Sequence, residues 1–114
     1  EEAAYSMLNC LPEEKSRKVY KKFSYESGRA LCEIGFWFFD NYGSTKVNEN
    51  KVKTPMLILA GDKDVFTPPK SVSKLIKKYK NAEYKTLKGH GHWMMQEPGW
   101  EKIAQYILDW IKNK

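Results

Sequence analysis

Pro55-Met56-Leu57-Ile58-Leu59-Ala60 runs directly into Gly61-Asp62-Lys63-Asp64-Val65-Phe66-Thr67-Pro68. About one helix length later, Ala82 to Leu87 runs into the loop Gly89-His90-Gly91-His92-Trp93. The first apolar run is continuous, as expected of a strand covered on both faces. Each run ends in a glycine-bearing loop, one with carboxylates and the other with imidazoles. A carboxylate and an imidazole on loops past two strand ends can meet at one rim, where the carboxylate orients the imidazole as a general base.

Between the two runs, Pro68-Pro69 suits a first helical turn, and Val72, Leu75, Ile76 and Tyr79 recur at helical spacing. After the second run, Pro98-Gly99 opens a last helix whose buried side would carry Trp100, Ile103, Ala104, Ile107, Trp110 and Ile111. The order is βαβα, which predicts two parallel strands joined by a right-handed crossover. Two parallel strands alone leave both edges bare, and parallel sheets are normally buried between helices. The segment therefore reads as one end of a larger doubly wound sheet. The rest would come from a missing N-terminal half or from a second copy of the chain.

Upstream, the texture changes. Ala3 to Leu11 is a short amphipathic helix, and Pro12-Glu13-Glu14 starts a second that sets Val19 and Phe23 four apart. Ser27 caps a third, with Ala30, Leu31, Ile34, Trp37 and Phe38 on one stripe. Turn formers from Asp40 to Thr45 and from Asn48 to Asn50 separate the two textures. The expected organisation is a helical segment over 1–45, a linker over 46–54 and a βαβα unit over 55–114.

At 114 residues the chain is one domain at most. It begins with Glu1 in what reads as mid-helix, as an excised piece of a longer protein would. No apolar run approaches the roughly 18 residues of a membrane span. The net charge is +6, but Arg17 and Arg29 are the only arginines, so lysine carries the basic charge. Nucleic-acid readers favour the planar arginine fork. Lysines spread along helix faces, such as Lys74, Lys77, Lys78 and Lys80, are a solvated surface, and no nucleic-acid partner is expected. Cys10 and Cys32 are too few for a disulfide scaffold and fit free thiols in the cytoplasm.

Taken together, Gly61, Asp64 and Pro68, then Gly91, His92, Trp93, Glu97 and Pro98, resemble the acid and histidine motifs of the α/β-hydrolase superfamily. The likeness covers about residues 52 to 114. Residues 1 to 45 resemble, more loosely, the helical cap of its esterase, peptidase and lysophospholipase-like branches, through Ser24-Tyr25-Glu26-Ser27-Gly28-Arg29-Ala30. The resemblance implies an α/β fold: the C-terminal part of a doubly wound, mainly parallel sheet preceded by a cap. It also implies a parent hydrolase that needs no cofactor and cleaves an ester, amide or related bond of a small-molecule acyl substrate. The superfamily's Gly-x-Ser-x-Gly elbow surrounds none of Ser6, Ser16, Ser24, Ser27, Ser44, Ser71 and Ser73. The nucleophile would lie upstream of Glu1, and this piece alone would be inactive. A dehalogenase-like or epoxide-hydrolase-like relative with an Asp nucleophile keeps the same acid and histidine.

His92 is the expected base and Asp64 the expected acid. His90, in the same loop, reads as structural or surface, and Asp62 as a partner for loop amides. Trp93 would wedge the imidazole and, with Trp37 and Phe38, contact an apolar substrate group. Glu97 would cap or charge the first turn of the final helix, beside Pro98. His90-x-His92 with Asp62 and Asp64 could suggest zinc, but no third histidine or cysteine lies nearby, so no metal is expected. An alternative of another class is an interaction module that assembles through bare strand edges.

Overall fold

The computed structural model describes residues 2–39, 43 and 46–114, with only the backbone at Ala3, Ala4 and Trp37. Its centre is a parallel pair of strands, β1 (Met56–Gly61) and β2 (Ala82–Leu87), in register from Met56 opposite Ala82 to Gly61 opposite Leu87. The connection is α4 (Pro69–Ile76), which packs on both strands, and the chain closes with α5 (Trp100–Lys112). This is the βαβα order read from the sequence.

Successive strand side chains point to opposite faces, and β2 uses both. On one face, the Lys85 ammonium sits 3.7 Å from the centre of the Tyr106 ring of α5. Glu83, two residues earlier, pairs with Lys114 just past the same helix. On the other face, the Tyr84 hydroxyl donates to the Pro69 carbonyl at the start of α4. A helix on each side of a parallel pair is the layering of a doubly wound sheet.

Three helices precede the pair: α1 (Glu2–Leu8), α2 (Glu13–Tyr20) and α3 (Gly28–Gly35). The Ser27 hydroxyl accepts from the Ala30 amide, so α3 begins where its cap predicts. It ends sooner than the apolar stripe suggested. Phe36 leaves helical geometry, and Trp37–Phe39 form a separate 3-10 turn. Leu31, Ile34 and Phe38 are exposed, Phe38 at 61%. The expected burial of Trp100 and Ile111 also fails, since both are exposed, and Leu75 of α4 is exposed as well.

Among the described residues the buried apolar ones are Leu8, Leu11, Ala60, Leu87 and Ile103. Each fully buried leucine-sized side chain stabilises by about 1.5–3 kcal/mol, so this core is thin. The accessible surface is 9259 Å², where a compact monomer of 13.4 kDa would expose about 6500 Å². The radius of gyration is 16.2 Å, against about 13 Å for a compact domain of this length. Leu31, Ile34, Leu75 and Ile111 face open space because little stands opposite them among the described residues.

Candidate active site

Two loops leave the same end of the strand pair. The first follows Gly61 and carries Asp62 and Asp64. The second follows Leu87 and carries His90 and His92. They are stitched together before either functional side chain is placed. The Asp62 amide donates to the Leu87 carbonyl (3.0 Å) and the Lys63 amide to the His90 carbonyl (2.9 Å). Asp62 Oδ1 accepts from the Gly89 amide at 2.6 Å, the loop-amide role its sequence position suggested. A Cβ on Gly61 would lie 2.3 Å from the His90 carbonyl oxygen and 2.5 Å from that of Gly91. Only glycine lets the loops approach this closely.

Asp64 and His92 meet. His92 Nδ1 lies 3.0 Å from Asp64 Oδ2, and Asp64 is 5% exposed. The other carboxylate oxygen, Oδ1, accepts from the amides of Phe66 (2.9 Å) and Thr67 (2.8 Å). The Thr67 hydroxyl donates to Oδ2 at 2.7 Å and lies 3.1 Å from His92 Nδ1. Burial alone would push the Asp64 carboxyl up. The Thr67 hydroxyl and amide, with His92 beside it, outweigh burial and hold it below its ordinary value. An ionised Asp64 accepts the Nδ1 proton, which leaves Nε2 of the neutral imidazole as the acceptor. Among the described residues Nε2 has no partner, and the His92 side chain is 26% exposed.

The ring against His92 is Phe66, 4.8 Å between centroids and edge-on. Trp93, expected to wedge the imidazole, instead packs on Phe23, 5.5 Å away, from the segment between α2 and α3. The side chain of Trp37 lies outside the described residues. Phe38 packs with Phe36 and Phe39 in the turn after α3.

Glu97 departs from its expected role. It is 1% exposed and does not charge the first turn of α5, where Gly99 holds the cap position with a positive φ. Its Oε2 accepts from the Gly91 amide (2.9 Å) and lies 3.0 Å from His90 Nδ1. The His90 side chain is turned to Glu97 and is mostly buried. The positive φ in this loop belongs to Gly89. Gly91 is small because Asn9 Oδ1, Cys10 Sγ and Glu97 Oε1 crowd its Cβ position. The two histidines face different carboxylates. Among the described residues, no three His, Cys, Asp or Glu side chains converge as a metal ion would require.

Sequence reasoning missed Thr67, Phe66 and Asn9. Thr67 had a usable signal: Asp followed by Thr at the third position, just ahead of a Pro-led helix, is an Asx-type turn in which the threonine can serve the same carboxylate. Asn9 had none, since its bond to the Lys63 carbonyl (2.8 Å) joins residues far apart in the chain.

A parallel strand pair with helices on both faces, carrying an acid loop and then a histidine loop at one end, defines the late part of an α/β-hydrolase core. A model of the family described as TAP-like protein matches residues 18–112. The chain belongs to that family and to the α/β-hydrolase superfamily. No curated protein and no solved structure matches it.

Proposed function

We propose that this chain supplies the acid and the base of a serine-hydrolase triad, with Asp64 orienting His92 and the serine provided by sequence that precedes Glu1. The carrying observation is the 3.0 Å contact between His92 Nδ1 and Asp64 Oδ2, with Nε2 unpartnered among the described residues. In this reading, Nε2 takes the serine hydroxyl proton as the serine oxygen bonds to the acyl carbon. The imidazolium then returns that proton to the departing alcohol or amine, leaving an acyl-enzyme. Water attacks by the same route and releases the acid. Asp64 stays ionised throughout and stabilises the imidazolium. Residues 1–45 form the cap, 46–54 the linker and 55–114 the late core. Phe38, Trp37 and Trp93 remain candidates to contact an apolar acyl group. An Asp nucleophile would use the same pair, with His92 activating water against a covalent ester. Two free thiols, Cys10 and Cys32, fit a cytoplasmic protein.

The test uses the complete reading frame that encodes this chain, assayed against p-nitrophenyl acyl esters and labelled with a fluorophosphonate. Hydrolysis and labelling of a serine, both abolished by His92→Ala, are expected. Ester hydrolysis untouched by His92→Ala would end the reading, and hydrolysis without serine labelling would favour the Asp nucleophile.

One observation favours an interaction reading as well. Among the described residues β1 and β2 each have one strand neighbour, so each keeps a bare edge. Those edges would pair with the preceding part of the fold or with a second copy. Sedimentation of the isolated chain separates the cases: a concentration-independent monomer counts against self-pairing.

A further inference from the structure

Behind the His92–Asp64 pair lies a second buried cluster that the proposed reaction does not use. Glu97 spends one carboxylate oxygen on the Gly91 amide and His90 Nδ1. Gly91 is the residue immediately before His92. Among the described residues the other oxygen, Oε1, is buried without a partner, and so is Asn9 Oδ1. Both border the same point: a Cβ on Gly91 would be 3.1 Å from Glu97 Oε1 and 2.4 Å from Asn9 Oδ1. Asn9 in turn donates through Nδ2 to the Lys63 carbonyl, and Lys63 is the residue immediately before Asp64. Glu97 therefore holds the backbone next to the base, and Asn9 the backbone next to the acid.

Such a cluster is costly. A buried carboxylate loses several kcal/mol of hydration and regains it only through well-placed partners, and an orphaned buried acceptor costs about 1–3 kcal/mol. Apolar residues of the same volume would serve packing alone at least as well. What they could not do is accept the Gly91 amide and so fix the height of the histidine loop above the acid loop.

We propose that Glu97 is a positioning residue that sets the His92–Asp64 geometry through the backbone of Gly91, while Asn9 holds the backbone of Lys63 on the acid side. Its kinetic consequence rests on the hydrolase reading above; its geometric consequence does not. Glu97→Leu keeps the bulk but cannot accept the Gly91 amide. Glu97→Gln keeps an acceptor for that amide and adds an NH₂ that can donate to Asn9 Oδ1. In the complete protein, Glu97→Leu should lower kcat about 10- to 100-fold, the scale of a small misplacement of a reacting group. KM should stay within about twofold, and the acid limb of the kcat/KM pH profile should move. Glu97→Gln should recover kcat to within about threefold of the parent.

A second readout needs no activity. With nitrogen-15-labelled histidine, the Nδ1 proton of His92 bonded to Asp64 should give a downfield resonance in the parent and in Glu97→Gln, and lose or shift it in Glu97→Leu. If Glu97→Leu does not fold, Asn9→Ala makes the same comparison by releasing Lys63. An unmoved resonance in a folded Glu97→Leu overturns the proposal, as does Glu97→Gln being as damaged as Glu97→Leu. Loss of folding in both Glu97→Leu and Asn9→Ala would assign the cluster to stability alone. A resonance that behaves as expected in a protein with no hydrolytic activity supports the positioning role and removes the hydrolase reading.

Discussion

The Thr67 hydroxyl donates to Asp64 Oδ2 at 2.7 Å, the same oxygen that receives His92. Asp64 and Thr67 thus form a closed unit, since the Thr67 amide bonds the other carboxylate oxygen. Thr67, with His92, keeps Asp64 ionised in a buried place, and its two bonds fix both carboxylate oxygens. Removing the hydroxyl while keeping the shape, by Thr67→Val, should lower kcat of the complete protein about tenfold, because the base is less well held. Thr67→Ser should restore most of the rate. Steady-state kinetics on an acyl ester read both variants, and a Thr67→Val enzyme at full rate would remove Thr67 from this role.

His92 and His90 sit two residues apart yet face separate carboxylates. Replacing them should have unequal results. His92→Ala should reduce kcat by about 10⁴ or more, the scale seen when a triad base is lost. His90→Ala removes only a partner of Glu97 and should cost about tenfold at most. A reversed ranking of the two variants in the complete protein would mean that the base has been assigned to the wrong ring.

Gly61 ends β1 at the point where the histidine loop crosses it. Because the atoms that a Cβ would meet are backbone carbonyls of His90 and Gly91, at 2.3 and 2.5 Å, neither neighbour can swing aside cheaply. Gly61→Ala should destabilise the complete protein by more than about 2 kcal/mol. Urea denaturation should show this as a lower midpoint at an unchanged slope. A midpoint equal to that of the parent would mean the loops are set further apart.

What the sequence made legible was local. The continuous apolar run of β1, the paired prolines that open α4 and the serine ahead of α3 each act over a few residues, and each lands where it was read. Asp64 and His92 were legible because their loops follow strands that must be neighbours in a parallel crossover. Asn9, Glu97 and the choice of Phe66 over Trp93 were not, because each depends on how segments distant in sequence stack. Glu97 beside Pro98 looks like a helix-start acid until His90 and Gly91 are brought over it by the loop. The exposure of Leu31, Ile34, Leu75 and Ile111 has the opposite cause. Periodicity reported correctly that these positions form apolar faces, but it carries no information about whether the covering layer is among the described residues.

The pH dependence of stability follows from the environment of Asp64. Its folded-state carboxyl is held below the ordinary value, with burial opposing and Thr67 and His92 prevailing. In the unfolded chain an aspartate titrates near about 3.9. A group whose value falls on folding contributes stability that is fully present above the unfolded value and is lost as pH drops through the folded one. The contribution of Asp64 should therefore be constant from neutral pH down to about pH 5 and decline below about pH 4. Asp64→Asn removes this titration. Urea midpoints of the complete protein and of Asp64→Asn, measured from pH 6 to pH 2.5, should run parallel at the upper end and converge toward the acid end. Curves that stay parallel over the whole range would mean that Asp64 titrates alike in both states, and that Thr67 and His92 do not hold its charge.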